Sequence, residues 1–497
     1  MIKLGIVGFG VVGKSALSFL SRYRGDARLA ELLGDVHYAI VIWDQRNLEH
    51  HEQEMLQAYG AQFIHESETS LDDFIFSCDK VLSSPGVDLQ SVTYPHKKIV
   101  CELDFFGLFF KKPVIAITGS LGKTTTTIVF AKVLERLSAI MSTNTIFAKP
   151  HDHESLRVAV GGNIGTGMLD LAMQSDNFDC AVLELSSWQL ERSKRFAPDI
   201  AVWTNLYPNH LDRHGTMLEY ARAKYALIAQ QTEQQYAVIP FDLLTGEVGQ
   251  EICSWLDQSF VHIIVTSTDH ITIDTVHQYV KNCIATVFIQ DQDIIFDVFE
   301  NNCLKQRMKL AQTSELLAVT FIENWLHIIG ALYASYQSPD NLIRFLPDVV
   351  SEVLDNPYTK HRVEYFATVR DVDFYNDSKS TVIQATQAAV RKLSMQGRPI
   401  IIILGGLDKG VDRSALMTFL VNTRSIKKIY SFGKARDLVP STYFSTLDEV
   451  VQDIMTVMQP HDVVLLSPSG ASYDLFKNYQ QRGDVFKELV LRYSDSV

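Results

Sequence analysis

The chain has little positive charge and shows no export or membrane signal. Its 45 lysine and arginine residues are outnumbered by 58 acidic residues, and a net charge of −13 argues against a nucleic-acid binder, which usually carries a basic surface. The first residues, MIKLGIVGFG, lack the basic region and apolar core of a signal peptide. The most apolar long stretch, residues 316–336, is interrupted by Glu323 and His327, which favours a buried helix over a membrane span. We therefore expect a cytoplasmic protein with no nucleic-acid or membrane partner.

The chain also lacks the cysteine spacings of a disulfide-rich or zinc-binding protein. Its 6 cysteines include no CxxC pair, so we expect reduced thiols in the core of a cytosolic protein. The sequence contains no internal repeat and no low-complexity tract. A hydrophobic fraction of 46% and a charged fraction of 21% are typical of a soluble globular protein. The length of 497 residues predicts about three domains.

Three series of short apolar runs follow one another along the chain, beginning at KLGIVGFG, PVIAITGS and DFYNDS. Runs of this length that alternate with amphipathic stretches are typical of strands buried on both faces of a parallel sheet. The pattern predicts an α/β protein with three doubly wound domains, which we place at residues 1–112, 113–356 and 357–497. Residues 230–320 alternate like exposed antiparallel strands and suggest no chemistry.

The first glycine loop, GFGVVG at residues 8–13, matches GxGxxG directly after a predicted strand. Such a turn places a pyrophosphate at a helix N-terminus, where free N–H groups and the helix dipole favour an anion. Asp44 ends a second predicted strand, as a ribose-binding acid would, but it lies about 30 residues beyond the loop where about 20 is usual. The loop suits NAD and other nucleotides equally, including a UDP-sugar, so a dehydrogenase is one interpretation of it.

The second glycine loop, TGSLGKTT at residues 118–125, lies between a predicted strand and a helix-compatible run. Its Gly-Lys-Thr end is typical of a phosphate-binding loop, in which backbone amides cradle the phosphates, Lys123 reaches the transferable one and Thr124 binds Mg²⁺. The general GxxxxGK[ST] pattern is not met, because Ile117 occupies its first glycine position. The loop predicts ATP as a substrate, which a dehydrogenase does not need.

From this loop onward the sequence resembles the Mur ligase family, whose ATP loop has the same compact form. In the central part the motifs are GNIG at 162–165, ELSSWQL at 184–190, the segment from Asn205 through HLDRH at 210–214, and YARAK at 220–224. In the last third they are HRVE at 361–364, NDSKST at 376–381, GGLDKG at 405–410, SPSGAS at 467–472 and DLFKNYQQRG at 474–483. NDSKST favours the members that add D-glutamate. Together with the first glycine loop, the ordered set touches all three predicted domains.

The sequence departs from the family in the helix expected near the adenine of ATP. The family often has two asparagines there, in an HNxxN pattern. Here Asn324 is present, but His327 stands at the second position. The assignment of an adenine contact in this helix therefore depends on Asn324.

The resemblance implies an ATP-dependent ligase that joins UDP-N-acetylmuramoyl-L-alanine to D-glutamate through an acyl phosphate, in peptidoglycan precursor synthesis. It implies an N-terminal Rossmann-like domain for the UDP-substrate, a central P-loop ATPase-like domain and a C-terminal Rossmann-like domain for the amino acid. A carboxylate is a poor electrophile, and its phosphorylation by ATP is mainly a matter of positioning and neutralising two anions. The expected partners are these three small molecules, bound by a monomer.

The resemblance also implies two Mg²⁺ sites. Thr124 and Glu184 would hold the first ion, and His210 and Lys224 the second. Lys224 would be carbamylated, because CO₂ converts a cationic amine into an anionic oxygen ligand, whereas an unmodified lysine would repel Mg²⁺. With Lys123, these residues form the expected catalytic set.

The remaining expected site residues divide by substrate. Those for ATP are Gly119, Ser120, Leu121, Gly122, Lys123, Thr124, Thr125, Asn324, Arg362 and Asp377. Those for the UDP-substrate are Gly10, Val11, Val12, Ser15, Asp44, Gly86, Asn163 and Ser186. Those for D-glutamate are Lys379, Thr381, Lys409, Ser472 and Tyr479, of which Lys409 suits a dicarboxylate because a point cation can pair with the side-chain carboxylate.

Three alternatives compete with this interpretation. Another amide ligase of the superfamily would use a different amino acid. An NAD(P) oxidoreductase would explain the first loop alone. A catalytically inactive nucleotide-binding protein is disfavoured, because Lys123, Glu184, His210, Lys224 and Asp377 are all present.

Overall fold

The structure is a computed structural model that describes residues 1–87, 89, 92, 96–140, 146–147, 155–316, 321–337, 360–408 and 410–494. The described chain divides into two compact units. The first comprises Met1–Leu206 and Leu218–Val353, and the second comprises Tyr207–Met217 and Leu354–Val497. The predicted boundary at residues 356 and 357 and the predicted site residue Lys409 lie outside the described residues.

The first unit begins with a parallel sheet whose described strands have the order β3-β2-β1-β4-β5. The strands are β1 Ile2–Val7, β2 Tyr38–Asp44, β3 Gln62–His65, β4 Lys80–Ser83 and β5 Ile99–Val100. The helices are α1 Val11–Arg22, α2 Ala30–Leu33, α3 His50–Tyr59, α4 Leu71–Ser77 and α5 Glu102–Phe109. The strand order reverses between β1 and β4, and ligands bind at such a switch point, beyond the carboxyl ends of the strands. Both predicted turns of the UDP-substrate site follow these two strands.

The same unit contains a second sheet, with the order β14-β13-β12-β11-β10-β9-β6-β8-β7 among its described strands. The strands are β6 Val114–Thr118, β7 Val158–Gly162, β8 Cys180–Glu184, β9 Ile200–Trp203, β10 Tyr236–Pro240, β11 His262–Ser267, β12 Cys283–Gln290, β13 Asp293–Glu300 and β14 Cys303–Gln312. The helices are α6 Lys123–Ile140, α7 Met168–Met173, α8 Ser187–Leu190, α10 Met217–Tyr225, α11 Asp242–Thr245, α12 Gly249–Asp257, α13 Ile273–His277, α14 Thr313–Leu316 and α15 Ile322–Tyr336. The strands from β7 to β12 pair in parallel, so the carboxyl ends of β6, β7, β8 and β9 lie at one edge.

The prediction for residues 230–320 is right in part. Strands β12, β13 and β14 form the expected antiparallel arrangement. The prediction is wrong for β11, which pairs in parallel with β10 and β12, and for the following residues, which form α13. The expected exposure is also wrong for β11, because α15 covers β10 and β11: a Cβ on Gly330 would lie 2.9 Å from Val238 and 3.2 Å from Ile264. It holds for much of the edge strand β14.

The second unit holds a sheet with the order β15-β16-β20-β17-β18-β19 among the residues described there. The strands are β15 Glu364–Val369, β16 Val372–Asn376, β17 Ile400–Gly405, β18 Ile426–Phe432, β19 Thr442–Phe444 and β20 Val463–Leu466. The helices are α9 Leu211–His214, α16 Ile383–Ser394, α17 Ser414–Asn422, α18 Leu447–Val457 and α19 Tyr479–Ser494. Pairing is parallel except between β15 and β16. In β17, Ile401 and Ile403 enter one hydrophobic cluster and Ile400 and Ile402 another, so both faces are covered.

These sheets confirm the expected mixed α/β fold with several parallel sheets. Within the described residues, no helix combines the length and apolarity needed to cross a membrane. The 6 cysteines, all in described positions, are free. The expectation of core thiols is wrong for Cys303, which is exposed because β14 is an edge strand.

Candidate active site

The second glycine loop lies at the carboxyl end of β6 and leads into α6. Gly119 has φ +146° and Gly122 has φ +79°, a region that favours glycine. A Cβ on Gly119 would lie 2.0 Å from the Thr204 hydroxyl, and one on Gly122 would lie 2.5 Å from Asn324 Oδ1. Beside this narrow turn are the first-turn amides of α6, which a helix leaves without an intrahelical acceptor. The cradle therefore fits the phosphates of a nucleotide.

Lys123 and Lys224 meet at one carbonyl of this loop. Lys123 Nζ donates to Gly119 O at 2.8 Å and to Ser120 O at 3.2 Å. Lys224 Nζ donates to the same Gly119 O at 2.9 Å. Two positively charged amines that donate to one carbonyl oxygen would repel each other strongly, because Lys224 is buried away from water. The arrangement favours an anion at the loop or a neutral form of one amine.

Lys224 is the more deeply buried of these two amines. It lies on α10 with 1% of its surface exposed, and its Nζ is 4.5 Å from the centroid of the Tyr220 ring. Burial, with the nearby charge of Lys123, holds the pKa of Lys224 well below its usual range. Tyr220 is fixed in turn by a hydrogen bond of 3.1 Å between its hydroxyl and Ser120 Oγ. A neutral amine has a free electron pair, so Lys224 can act as a nucleophile towards CO₂.

Glu184 ends β8 beside the loop, since β6 and β8 pair with Ile117 opposite Glu184. Its side chain is buried, and Oε1 accepts a hydrogen bond of 2.9 Å from Asn163 Nδ2. The Asn163 backbone N–H donates to Glu184 O at 2.7 Å. A Cβ on Gly162 would lie 2.2 Å from Glu184 O, so the end of β7 can approach this closely only as glycine. Thr124, at the start of α6, is buried at the same edge of the sheet.

Asn324 and His327 lie on the same side of α15, three residues apart. Asn324 Oδ1 is 3.3 Å from the Thr126 hydroxyl and borders Gly122. His327 is buried, with Nε2 3.0 Å from Thr204 O and Nδ1 3.0 Å from the Thr266 hydroxyl. Burial lowers the pKa of His327 to about 4, so the neutral ring donates from Nε2 to the carbonyl. The departure from the family pattern thus has a structural role: it ties α15 to the end of β9.

The first glycine loop is held by Asp44 at the end of β2. The Phe9 N–H donates to Asp44 Oδ2 at 2.5 Å. Arg46 donates to Phe9 O and makes two hydrogen bonds of 2.8 Å to the buried carboxylate of Glu52. The hydrogen bonds from Arg46 hold the pKa of Glu52 well below its usual range, despite its burial. Asp44, predicted to bind substrate, therefore also shapes the turn.

The other residues predicted to bind the UDP end of the substrate differ in solvent exposure. Gly10, Val11 and Gly86 are exposed, and Val12 is half-buried. Ser15 is 5% exposed inside α1, and its hydroxyl has no hydrogen-bond partner among the described residues. Ser15 therefore lies within the structure, and not on the open surface of the turn.

Ser186 has a structural role in the ELSSWQL motif. Its hydroxyl is 2.9 Å from Gln189 Oε1 and accepts from the Gln189 N–H at 3.3 Å, while the Ser186 N–H donates to Gln189 Oε1 at 3.0 Å. These reciprocal bonds form a capping box at the start of α8. The motif thus fixes the chain direction directly after Glu184.

In the second unit, the structure brings Arg362 and Asp377 together. Asp377 Oδ2 accepts a hydrogen bond of 2.7 Å from the Ser467 hydroxyl, and Oδ1 accepts one of 3.2 Å from the Val363 N–H. Burial raises the pKa of Asp377 to about 7, although Ser467 and the charge of Arg362 act in the opposite direction. The carboxyl therefore titrates near neutral pH.

Lys379 and Tyr479 also meet in this unit. Lys379 Nζ lies 5.0 Å from the centroid of the Tyr479 ring, a distance that allows a cation–π interaction. The His361 ring packs edge-on against Tyr479 at 5.9 Å. Ser472 is buried after β20, and Thr381 is half-buried before α16. Of the residues predicted to bind D-glutamate, Lys379 and Tyr479 therefore lie in direct contact.

Arg482 was given no role by the sequence, yet it joins three segments of this site. Its side chain is fully buried. Nε and Nη2 donate to the hydroxyl and carbonyl of Ser378 at 3.0 and 2.7 Å, and Nη1 donates to Gly470 O at 2.9 Å. The Ser378 hydroxyl donates to Tyr479 O at 2.8 Å. The motif placed Arg482 near the site, but its partners are distant in sequence and no local pattern reveals them.

His210 lies in the second unit, directly before α9, with φ +56°. In the described part of the chain, no group of three or more His, Cys, Asp and Glu side chains is arranged to hold a metal ion. Of the predicted Mg²⁺ ligands, only Glu184 and His210 belong to these residue types. The predicted metal sites stay a prediction.

Comparison with known proteins identifies the family. Residues 117–326 match the Mur ligase middle domain, and residues 361–470 match the Mur ligase glutamate ligase domain. The chain is 31% identical over 426 residues to UDP-N-acetylmuramoylalanine–D-glutamate ligase of Acidobacterium capsulatum, covering 83% of this chain and 82% of the relative. A ligase of the same name from Shouchella clausii is 28% identical over 502 residues, covering 97% of both chains.

Solved structures share the fold. The MurF ligase from Thermotoga maritima, solved in complex with ADP, has a TM-score of 0.54 and 15% identity, covering 92% of this chain and 95% of that chain. At this identity the likeness concerns the fold alone. Together with the sequence relatives, the comparisons confirm the predicted kind of enzyme: the chain belongs to the Mur ligase family.

Proposed function

We propose that this chain is an ATP-dependent ligase that forms the amide bond between UDP-N-acetylmuramoyl-L-alanine and D-glutamate, in peptidoglycan precursor synthesis. The observation that carries the proposal is the convergence of Lys123 and a buried Lys224 on the carbonyl of Gly119 in a phosphate-type loop. Relatives named for this reaction, 31% and 28% identical over most of the chain, support the choice of substrates.

The loop and its neighbours account for carboxylate activation. A carboxylate oxygen of the nucleotide substrate attacks the γ-phosphorus of ATP, the bond to ADP breaks, and an acyl phosphate forms. The amine of D-glutamate then attacks the acyl carbon, phosphate leaves, and the amine loses a proton. Lys123 neutralises charge on the transferred group, and the first-turn amides of α6 orient it.

Mg²⁺ would supply neutralisation of the negative charge on the phosphates. Thr124 and Glu184 present a hydroxyl and a carboxylate, the oxygen donors that this ion prefers. Both side chains are buried, and Asn163 orients Glu184 by donating to Oε1. We assign these two residues to the first ion, and His210 and modified Lys224 to the second.

We propose that Lys224 reacts with CO₂. Its nitrogen electron pair forms an N–C bond to CO₂, and a proton leaves the nitrogen to give an anionic carbamate. Lys123, which shares the Gly119 carbonyl with Lys224, then lies beside an anionic carbamate and no longer beside a second amine. The lowered pKa of Lys224 favours the neutral amine that this step requires.

The turns at the switch point of the first sheet are assigned to the UDP end of the nucleotide substrate. Gly10, Val11, Val12, Ser15 and Asp44 belong to the turn after β1 and its neighbours, and Gly86 to the turn after β4. Asn163 and Ser186, beside Glu184, are assigned to the muramoyl-alanine end. With this assignment, we expect the reacting carboxylate near the phosphate loop.

The second unit is assigned to the amino acid and to part of ATP. Lys379, Thr381, Lys409, Ser472 and Tyr479 are the proposed D-glutamate residues, with Lys379 and Tyr479 already in contact. Arg362 and Asp377 are the proposed ATP contacts there, and Asn324 is the proposed adenine contact in the first unit.

We further propose that the three sheets correspond to three domains bounded as predicted from the sequence, and that the enzyme is a cytoplasmic monomer. Light scattering of the purified chain tests the last point: a mass near 56.1 kDa is expected, and about twice that mass would overturn it.

The proposal is tested by phosphate release from Mg²⁺–ATP with UDP-N-acetylmuramoyl-L-alanine and, in turn, D-Glu, L-Glu, L-Ala, L-Lys and meso-diaminopimelate. We expect release that requires both the nucleotide and D-Glu, with an amide product by mass spectrometry. Release with another amino acid would overturn the assignment of the second unit. No release with any of them, from folded protein that binds ATP, would overturn the proposed reaction.

A further inference from the structure

The residues that follow β9 hold the tip of the phosphate-type loop. Asn205 Oδ1 accepts hydrogen bonds from the backbone N–H groups of Ser120 at 3.1 Å and Leu121 at 2.8 Å. Asn205 Nδ2 donates to Leu121 O at 3.2 Å, and the Thr204 hydroxyl donates to the same oxygen at 2.5 Å. The backbone of Leu121 is therefore held at both its N–H and its carbonyl.

This contact sets the direction of the next amide. In a trans peptide the carbonyl and the following N–H point in opposite directions. Because Leu121 O faces Thr204 and Asn205, the N–H of Gly122 must point away from them. Gly122 itself lies close to α15, because a Cβ at this position would be 2.5 Å from Asn324 Oδ1.

The support behind Asn205 is also rigid. The carbonyl of Thr204 accepts a hydrogen bond from His327 Nε2 at 3.0 Å, and its N–H donates to Thr118 O at 2.9 Å. Thr204 is thus anchored to α15 and to β6. Asn205 holds the loop from a fixed point and does not simply follow it.

We infer that Asn205 is a positioning residue for phosphate binding: it directs the Gly122 N–H so that this amide and the first-turn amides of α6 serve one phosphate group. The inference rests on the proposed function in assuming that the loop binds ATP. Both ends of the carboxamide are required, an oxygen for two N–H groups and an N–H for one carbonyl. Aspartate would keep the acceptor, lose the donor and add a negative charge beside the phosphates.

The test measures binding, so it does not depend on turnover. The dissociation constants of Mg²⁺–AMPPNP, a non-hydrolysable ATP analogue, and of UDP-N-acetylmuramoyl-L-alanine are measured by calorimetry for the full chain and for Asn205→Ala and Asn205→Asp. The matched control is Gln231→Ala, because Gln231 is a buried amide that donates to Pro198 O at 2.8 Å and Tyr236 O at 3.0 Å, away from the loop.

We expect both Asn205 variants to bind Mg²⁺–AMPPNP at least about tenfold more weakly, since each lost hydrogen bond weakens binding several-fold. Affinity for the UDP-substrate should change less than about twofold. Gln231→Ala should lower the thermal midpoint and leave AMPPNP affinity unchanged. Asn205→Asp is nearly isosteric, so it tests the inference even where alanine destabilises the fold.

Two results would overturn the inference while the proposed function stands: AMPPNP affinity unchanged in Asn205→Asp, or equal losses for AMPPNP and the UDP-substrate in step with stability. Failure of the unsubstituted chain to bind Mg²⁺–AMPPNP would instead overturn the proposed function. The first pair of results concerns Asn205, and the last concerns the loop itself.

Discussion

Lys224 is a buried amine at a position where a positive charge is costly. It shares the Gly119 carbonyl with Lys123 and is 1% exposed. If its carbamate is a metal ligand, Lys224→Ala should lower phosphate release by about 100-fold or more, because metal neutralisation of charge contributes several kcal/mol. A short-chain carboxylate such as propionate should restore part of the rate, since it can fill the space left by the side chain. The phosphate-release assay with and without propionate measures both effects.

A matched control for Lys224 is Lys305→Ala on the edge strand β14. Lys305 is 58% exposed and pairs with Glu300 at the surface, so its removal should leave the rate unchanged. A Lys224→Ala variant with the full rate would contradict the carbamate role. A variant that stays inactive at every carboxylate concentration would count against a carboxylate-like ligand at this position.

The buried carboxyl of Asp377 makes the free energy of unfolding depend on pH. Its folded pKa is about 7, and in an unfolded chain an aspartate ionises near ~3.9. Between these values the folded state keeps a proton that the unfolded state has released, so stability falls as pH rises, by up to about 1.4 kcal/mol per pH unit. Asp377→Asn cannot ionise. The thermal midpoint of Asp377→Asn should therefore rise relative to that of the unsubstituted chain as pH goes from 5 to 8. A difference between the two midpoints that stays constant with pH would contradict the raised pKa.

The turn between β1 and α1 closes only because position 13 has no side chain. A Cβ on Gly13 would lie 2.1 Å from Gly8 O, a backbone atom that cannot move alone. Gly13→Ala should lower the free energy of unfolding by about 1–3 kcal/mol through overpacking, and weaken binding of the UDP-substrate. Thermal unfolding and calorimetry measure the two effects. Gly10→Ala controls for stability, because no described atom lies within 4 Å of its Cβ; equal stability of the two variants would contradict the account.

Arg482 couples the loop after β16, the loop after β20 and the start of α19. Lysine cannot reproduce its three hydrogen bonds to Ser378 and Gly470. Arg482→Lys should raise the KM for D-glutamate by about tenfold, more than the KM for the UDP-substrate, because one or two lost hydrogen bonds shift the loops that carry Lys379 and Ser472. Steady-state kinetics measures the split. Arg391→Lys, on the exposed side of α16, should change neither KM, and equal changes in both for Arg482→Lys would contradict the positioning role.

Local sequence patterns predicted which strands and loops carry the site. They predicted less well which residues contact one another there. The glycine loops at residues 8–13 and 118–125 follow β1 and β6 as expected, because a strand followed by a glycine turn is a local feature. The direction of β11 was missed, because the alternation seen in residues 230–320 does not reveal which strands pair, and β11 pairs in parallel with β10 and β12. Asn205 and Arg482 were missed as contact residues, because their partners come together only in the folded chain.

At the scale of the whole molecule, the order of sheets follows the order of the motifs. The first loop alone could not separate NAD from a UDP-sugar, because both ligands present a pyrophosphate to the same turn. The Mur ligase domains at residues 117–326 and 361–470 and the named relatives show the family, and they support the proposal that this turn binds the UDP-substrate. The sequence could not show that Lys224 lies beneath the loop with Lys123. That arrangement is the link between the fold and the proposed chemistry.

The most direct test of that chemistry follows one oxygen atom. UDP-N-acetylmuramoyl-L-alanine labelled with ¹⁸O in its carboxylate is incubated with Mg²⁺–ATP, D-glutamate and the full chain, and the products are analysed by mass spectrometry. The acyl-phosphate route moves one carboxylate oxygen into inorganic phosphate for each amide bond formed. We therefore expect singly ¹⁸O-labelled phosphate in equal amount to the amide product. Unlabelled phosphate, or labelled phosphate without an amide to D-glutamate, would contradict the account.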